Sequence, residues 1–148
     1  MKIHFIGIGG IGISGLAQYM HFKGHEVSGS DISDTSTTKK LRDLGIKVTV
    51  PHCSSAINSQ DLVIHSAIIR PDNPEVVEAK AKGIEVLARR EALLQILDTS
   101  KVYSVAGAHG KSTTTAILTA IMSGSAIIGA ESKAFGSNVR YTEETDVM

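Results

Sequence analysis

The chain has 148 residues, 42% of them hydrophobic, and its 15 Lys plus Arg balance 15 Asp plus Glu. A zero formal charge gives no general attraction to nucleic acid or to an anionic membrane, so neither is an expected partner and any phosphate site has to come from local geometry. The single cysteine, Cys53, excludes an internal disulfide and is expected to be inert. No apolar run approaches the ~20 residues that span a bilayer. The N-terminus reads as a strand and not as a leader peptide, so a reducing cytoplasm is the expected setting.

Ile3 to Ile6 is an apolar run that predicts a buried strand. It breaks at Gly7-Ile8-Gly9-Gly10-Ile11-Gly12, a G-x-G-x-x-G spacing. Ile11, Leu16, Ala17, Met20 and Phe22 then recur at roughly helical spacing, until Gly24 offers a left-handed C-cap. Strand, glycine turn and helix in that order leave unpaired helix N–H groups at the turn, an anion site that a diphosphate can approach without meeting a Cβ. Glycines there also serve the plain purpose of packing a strand closely against a helix. Residues 25–31 predict a second strand ending in Asp31. That acid lies 31 − 12 = 19 positions beyond Gly12, close to the ~20 at which a carboxylate meets a ribose hydroxyl in dinucleotide folds.

The polar stretch Ser33 to Thr38 offers N-caps for a helix through Leu41 and Leu44, closed by Gly45. Lys47 to Val50 predicts a third strand, stopped by Pro51, and His52 to Gln60 a loop or weak helical turn. A fourth strand begins at Asp61 and runs out at His65-Ser66-Ala67. Asn73-Pro74-Glu75 is a helix start, with Asn as N-cap, Pro at the first position and an acid facing the positive end of the dipole; Gly83 ends that helix. Ile84 to Leu87 predicts a fifth strand and Glu91 to Leu97 a further helix. The alternation predicts an α/β fold, a Rossmann-like parallel sheet with helices on both faces.

Asp98-Thr99-Ser100 is the one plausible seam, dividing residues 1–98 from 99–148. Val102 to Val105 predicts a strand that runs into Ala106-Gly107-Ala108-His109-Gly110-Lys111-Ser112-Thr113, with a helix following through Ile117, Leu118, Ile121 and Met122. Gly110-Lys111-Ser112 supplies the last three residues of a P-loop, although the glycine the full pattern wants five residues earlier is Val105. The physics survives the shorter form: backbone N–H groups hold nucleotide phosphates, Lys111 reaches the terminal ones, and the Ser112 hydroxyl sits on Mg2+. A nicotinamide-binding module needs the first turn and has no use for the second. A simple ATPase needs only the second. Two phosphate cradles in succession predict two phosphorylated ligands brought together with energy from ATP.

GIGGIGISGLA at 7–17, SGSD at 28–31, SAI at 66–68, DNPE at 72–75, R-x-E at 89–91 and AGAHGKSTTT at 106–115 together resemble the Mur ligase family, over nearly the whole chain. Ala108 stands where the family's ATP loop usually has Thr. The resemblance implies a UDP-substrate-binding domain over 1–98 and the truncated start of a P-loop ATPase-like domain over 99–148. It implies an ATP- and Mg2+-dependent ligase of peptidoglycan synthesis that joins L-alanine to the lactyl carboxylate of UDP-N-acetylmuramate through an acyl phosphate. The alternatives are a relative that adds a tripeptide to the same sugar, or a nicotinamide module. A non-catalytic domain with vestigial turns is a third class. A homo-oligomer is allowed.

By the same resemblance Gly9, Gly10, Ile11, Gly12 and Ser14 face the UDP diphosphate, and Asp31, His52, Ser66 and Arg89 line the nucleotide pocket. Gly107, Ala108, His109, Gly110, Lys111, Ser112 and Thr113 form the ATP loop, with Lys111 and Ser112 the catalytic pair and Ser112 the metal ligand. Each has a plainer reading: Asp31 as a helix cap, His52 as a surface residue, Arg89 or Arg90 as solvated charge. Glu143, Glu144 and Asp146 follow no apolar strand that would make them metal-binding acids, and residues 124–148 read as weakly packed. The expectation is an N-terminal piece that ligates nothing by itself.

Overall fold

A computed structural model of the chain describes residues 1–133 and 136–148. Its main sheet has five parallel strands, β1 (Lys2–Ile6), β2 (Glu26–Ser30), β3 (Lys47–Thr49), β4 (Leu62–His65) and β5 (Glu85–Ala88), in the order β3-β2-β1-β4-β5. Four helices connect or follow them: α1 (Ile11–Phe22), α2 (Ser36–Asp43), α3 (Pro74–Ala81) and α4 (Arg89–Leu97). The chain leaves β1 toward β2 on one side and resumes at β4 on the other, so the order reverses beside β1. In open α/β sheets that reversal opens a crevice at the carboxyl ends of the strands.

Alternate residues of each strand serve different layers. Ile3, Phe5, Val27, Leu62 and Ile64 belong to a core shared with α1, α2 and α4, through Leu16, Leu41 and Ala92. Ile6 and Val63 pack with Val76 and Ala79 of α3 and with Ile57, beside the 3-10 turn Ser54–Ala56. Helices therefore cover both faces, as the alternation predicts. Local rules hold at the caps: Thr35 and Thr38 exchange bonds as a capping box on α2, and the Asn73 side chain accepts the Glu75 amide at the start of α3.

Beyond Ser100 the fold departs from expectation. The predicted strand 102–105 shrinks to β6 (Lys101–Val102), and the glycine loop leads into α5 (Lys111–Ile121). Residues 124–148, read from sequence as weakly packed, form β7 (Ala126–Ser132), β8 (Ser137–Arg140) and β9 (Asp146–Val147). β7 pairs antiparallel with β8, and β6 parallel with β9. The Ile127 amide to Met148 O at 2.8 Å and the Met148 amide to Ser125 O at 2.9 Å join the two pairs. The strand ahead of Asp146, β8, carries one apolar residue, Val139, which is buried and shares the main core with Val147. The guanidinium of Arg140 closes the far end of α5 by donating to the carbonyls of Thr119, Met122 and Gly124.

β7 and β8 pack on α1, as the main sheet also does. This explains why α1 is buried continuously from Ile13 to Met20 instead of along one stripe. Tyr141 extends the contact, edge-on to Tyr19 and stacked on Phe22 with ring centroids 5.9 Å apart in both cases. The main core thus runs across the expected seam at residue 98. No described helix is long and apolar enough to cross a membrane.

Gly29 is the tightest point of the sheet: a Cβ there would lie 2.5 Å from Ile8 Cδ1 and 2.7 Å from the Phe5 carbonyl. Gly29→Ala is expected to cost about 1–3 kcal/mol through overpacking and to lower the thermal midpoint by several degrees. Gly129→Ala, whose Cβ meets nothing within 4 Å, should leave that midpoint within a degree or two. Equal midpoints for the two variants would contradict this packing.

Candidate functional site

The carboxyl ends of β1, β2, β4 and β5 bring the first turn, Asp31, Ser66 and Arg89 to one edge. The turn is held from below: the amides of Gly7 and Ile8 both donate to the Ser30 carbonyl, at 2.8 and 2.9 Å. The Gly9 amide donates to Asp31 Oδ2 at 2.8 Å, and Gly10 bonds back to Gly7 O at 3.2 Å. Asp31 also accepts the Ile32 amide through Oδ1. Among the described residues the amides of Ile11 and Gly12 have no acceptor. They are the first two amides of α1, where orphan donors and the positive end of the dipole coincide.

Arg89 stands at the first position of α4 and donates from Nε to the Gly12 carbonyl at 2.8 Å. A Cβ on Gly12 would lie 3.2 Å from the Arg89 Cζ, so glycine there lets the guanidinium lie against the turn. Arg89 is half-buried and Arg90 exposed, which separates the two candidates. Ser66 is half-buried at the end of β4, its amide on Ile6 O at 3.0 Å.

Ser14 differs from the expectation that it faces the diphosphate. It is fully buried, its hydroxyl donating to Ile11 O at 3.1 Å and accepting from Asn138 Nδ2 at 3.1 Å. Asn138 also donates to Ile11 O at 2.6 Å and accepts from Gln18 Nε2 at 2.9 Å. β8 is therefore latched to the first turn of α1, and Ser14 serves that latch. Gly9 likewise offers close approach but not a free amide.

The second loop, 106–112, is exposed apart from its strand-side neighbours. Gly110 adopts a left-handed φ of 75° and caps α5. Lys111 folds back over the loop, its Nζ donating to Gly107 O at 2.6 Å and Ala108 O at 3.3 Å. His109, Ser112 and Thr113 are exposed, and the Ser112 hydroxyl has no partner among the described residues. Arg89, Lys111 and Ser112 line one cavity of about 330 Å³, together with Leu93, Tyr103 and Thr115. Among the described residues no three acids, histidines or cysteines cluster as a preformed metal cage.

Sequence reasoning missed a buried polar cluster on the other face of the sheet. Glu75 is 0% exposed and His4 1%. Glu75 Oε2 accepts from the Ser30 hydroxyl at 2.5 Å and from His4 Nε2 at 3.3 Å, while Oε1 accepts the Cys53 amide at 2.8 Å. His52 Nδ1 lies 2.8 Å from Ser30 Oγ, and His4 Nδ1 lies 2.9 Å from Ser28 Oγ. Glu75 was legible only as a first-turn acid. The available signal was polar residues at alternate positions, Ser28 and Ser30, of a strand whose neighbours are apolar, since buried polar groups require partners. Cys53 is exposed, and the Ser55 hydroxyl bonded to it draws its thiol below the usual value.

Burial pushes the Glu75 carboxyl up, but the bonds from His4, Ser30 and the Cys53 amide outweigh it and hold it below its ordinary value of 4.5. A depressed folded value stabilises the native state fully above the unfolded value, and the contribution drains away as the pH falls through the folded one. Glu75→Gln is therefore expected to flatten the loss of stability below about pH 4.5 in denaturant titrations at a series of pH values. Parallel acid limbs for the two proteins would contradict this.

The description "Mur ligase family, catalytic domain" matches residues 2–101, a span that holds the first turn and stops before the second. A UDP-N-acetylmuramate–L-alanine ligase of Campylobacter curvus is 53% identical over 147 residues, covering 99% of this chain and 34% of its own length. The crystal structure of UDP-N-acetylmuramate-alanine ligase from Thermotoga maritima superimposes with a TM-score of 0.91 at 34% identity, over 99% of this chain and 36% of that one. UDP-N-acetylmuramate:L-alanyl-gamma-D-glutamyl-meso-diaminopimelate ligase from Neisseria meningitides gives 0.87 at 26%, over 99% and 51%. The chain spans about a third of the length of the curated relatives it matches. With the family match covering most of its residues and the fold agreeing, the chain belongs to the Mur ligase family.

Proposed function

We propose that this chain is the UDP-sugar-binding and ATP-loop part of an ATP-dependent ligase that joins L-alanine to the lactyl carboxylate of UDP-N-acetylmuramate. The observation that carries the reading is a pair of helix N-termini, those of α1 and α5, each behind a glycine turn. Arg89 beside the first and Lys111 with Ser112 at the second line a common cavity. A cation bonded to the first turn and the cation of the second loop facing one cavity suit a reaction in which a phosphoryl group passes to a carboxylate carried by a second phosphorylated ligand.

In this reading the free amides of Ile11 and Gly12 and the guanidinium of Arg89 take the diphosphate of the sugar nucleotide. Ser66 and His52, at the ends of β4 and after β3, flank the nucleoside. Asp31 acts first on the protein, holding Gly9; its remaining lone pairs are the ones open to a ribose hydroxyl. At the second loop Gly107 to Thr113 cradle the triphosphate. The ammonium of Lys111 exchanges the carbonyls of Gly107 and Ala108 for phosphate oxygens, and the Ser112 hydroxyl would hold Mg2+. An ion held there would supply neutralisation of charge on the transferring phosphoryl group. The amine of L-alanine then displaces phosphate from the activated carboxylate.

The tripeptide-adding ligase is the second reading, supported by the Neisseria likeness. The higher identity to alanine-adding relatives favours the first. Phosphate release by the full-length protein with ATP and UDP-N-acetylmuramate separates them: L-alanine is expected to drive turnover, and turnover with the tripeptide alone would move the assignment. Lys111→Ala should lower kcat by about 100-fold or more, the scale of one preorganised charge-stabilising donor. Arg89→Ala should act mainly on KM for the sugar nucleotide, by about tenfold. Release with no dependence on the sugar nucleotide would contradict the two-cradle reading.

A further inference from the structure

We propose that Glu75 and Ser30 are positioning residues that fix the hydrogen-bond polarity of His52, so that this histidine meets its ligand as an acceptor through Nε2. The inference rests on reading the carboxyl edge of the sheet as a nucleotide site.

The logic is a count of protons. An ionised carboxylate only accepts, and a serine hydroxyl has one proton to give. The Ser30 proton goes to Glu75 Oε2, at 2.5 Å. Ser30 Oγ can then face His52 Nδ1, 2.8 Å away, only as an acceptor. His52 therefore carries its proton on Nδ1, and in the neutral ring the lone pair lies on Nε2. That atom has no partner among the described residues. It also faces solvent, because Thr142 Oγ1 is the only buried side-chain polar atom among them without a bond. The other groups facing the carboxylate all donate: His4 Nε2 from β1 and the Cys53 amide from the segment after β3. Nothing in the cluster competes to reverse the chain.

The same Ser30 uses its carbonyl to hold Gly7 and Ile8. Turn and histidine are thus set by one residue. A neutral acceptor cannot serve a diphosphate, whose oxygens also accept; that part of the ligand falls to Arg89 and the free amides. His52 fits a neutral O–H or N–H donor of the nucleoside, a ribose hydroxyl or the imide N–H of uracil.

The test reads the tautomer in the full-length protein labelled with nitrogen-15 histidine, His52 being assigned by loss of its signals in His52→Gln. Long-range proton–nitrogen correlation above neutral pH is expected to show Nδ1–H in the wild type. Glu75→Gln should invert it. A glutamine that keeps Oε1 on the Cys53 amide must present its NH2 to Ser30, which passes its own proton to His52 Nδ1. The opposite amide orientation sets NH2 against N–H. In that variant the affinity for UDP should fall about tenfold, one hydrogen bond of ordinary net strength, while ATP affinity is unchanged. Titrations of the wild type with 2′-deoxy-UDP, 3′-deoxy-UDP and N3-methyl-UDP identify the donor, as the analogue that binds more weakly. An Nε2–H tautomer in the wild type, an unchanged tautomer in Glu75→Gln, or equal binding of UDP and all three analogues would overturn the proposal. A wild type with the Nδ1–H tautomer and inversion in the variant, but no UDP affinity, would support the positioning role and sink the nucleotide-site reading instead.

Discussion

The carbonyl of Ser30 is the point on which the carboxyl edge of the sheet depends. It takes two consecutive amides, those of Gly7 and Ile8, at the moment the chain turns out of β1. Without that double acceptor the turn would have to satisfy its own donors by tightening, and the amides of Ile11 and Gly12 would not be spared. Asp31, the next residue, takes the Gly9 amide. Two neighbouring residues at the end of β2 therefore consume the donors nearest the sheet and leave those at the mouth of α1. Gly29 makes this approach sterically feasible by leaving room for Ile8.

The two glycine turns are built to different standards. The first is anchored on three sides: by β2 beneath, by Arg89 on the Gly12 carbonyl, and by the Asn138 latch to Ile11 O. The second is an exposed loop whose cation rests on its own carbonyls. Preorganised amides suit a ligand that must be held in register. A lysine bonded only to loop carbonyls has little to give up when a phosphate arrives, since a charge-assisted contact replaces a neutral acceptor. β8 links the two parts, because it follows the second loop in the chain yet bonds to the helix behind the first turn. That latch gives the second part of the chain a physical hold on the first.

The parallel sheet and its covering helices were legible because strands and helices alternate, with turn residues between them that each have one purpose. Asn73-Pro74-Glu75 starts α3 as its sequence says. The G-x-G-x-x-G spacing located the turn, and the R-x-E resemblance pointed to Arg89 over Arg90, the former being the residue that packs on Gly12. Three features were not legible. The hairpin β7–β8 carries no regular alternation, and its partner is a helix more than a hundred residues away in sequence, a contact local patterning does not encode. The resemblance implied Ser14 as a phosphate ligand; Asn138, invisible as a partner, holds it inward. Glu75 followed the helix-start rule and hid a second role, because strand and helix bring it under His4 and Ser30 only in three dimensions.

The first turn holds the amides of Ile11 and Gly12 in reserve and has spent those of Gly7, Ile8 and Gly9. Backbone amide chemical shifts of the full-length protein, followed as UDP is added, read that directly. The signals of Ile11 and Gly12 are predicted to move downfield as they gain an acceptor, with Gly9, already bonded to Asp31, moving little. Shifts that leave Ile11 and Gly12 in place, or that fall on Gly9 alone, would contradict it.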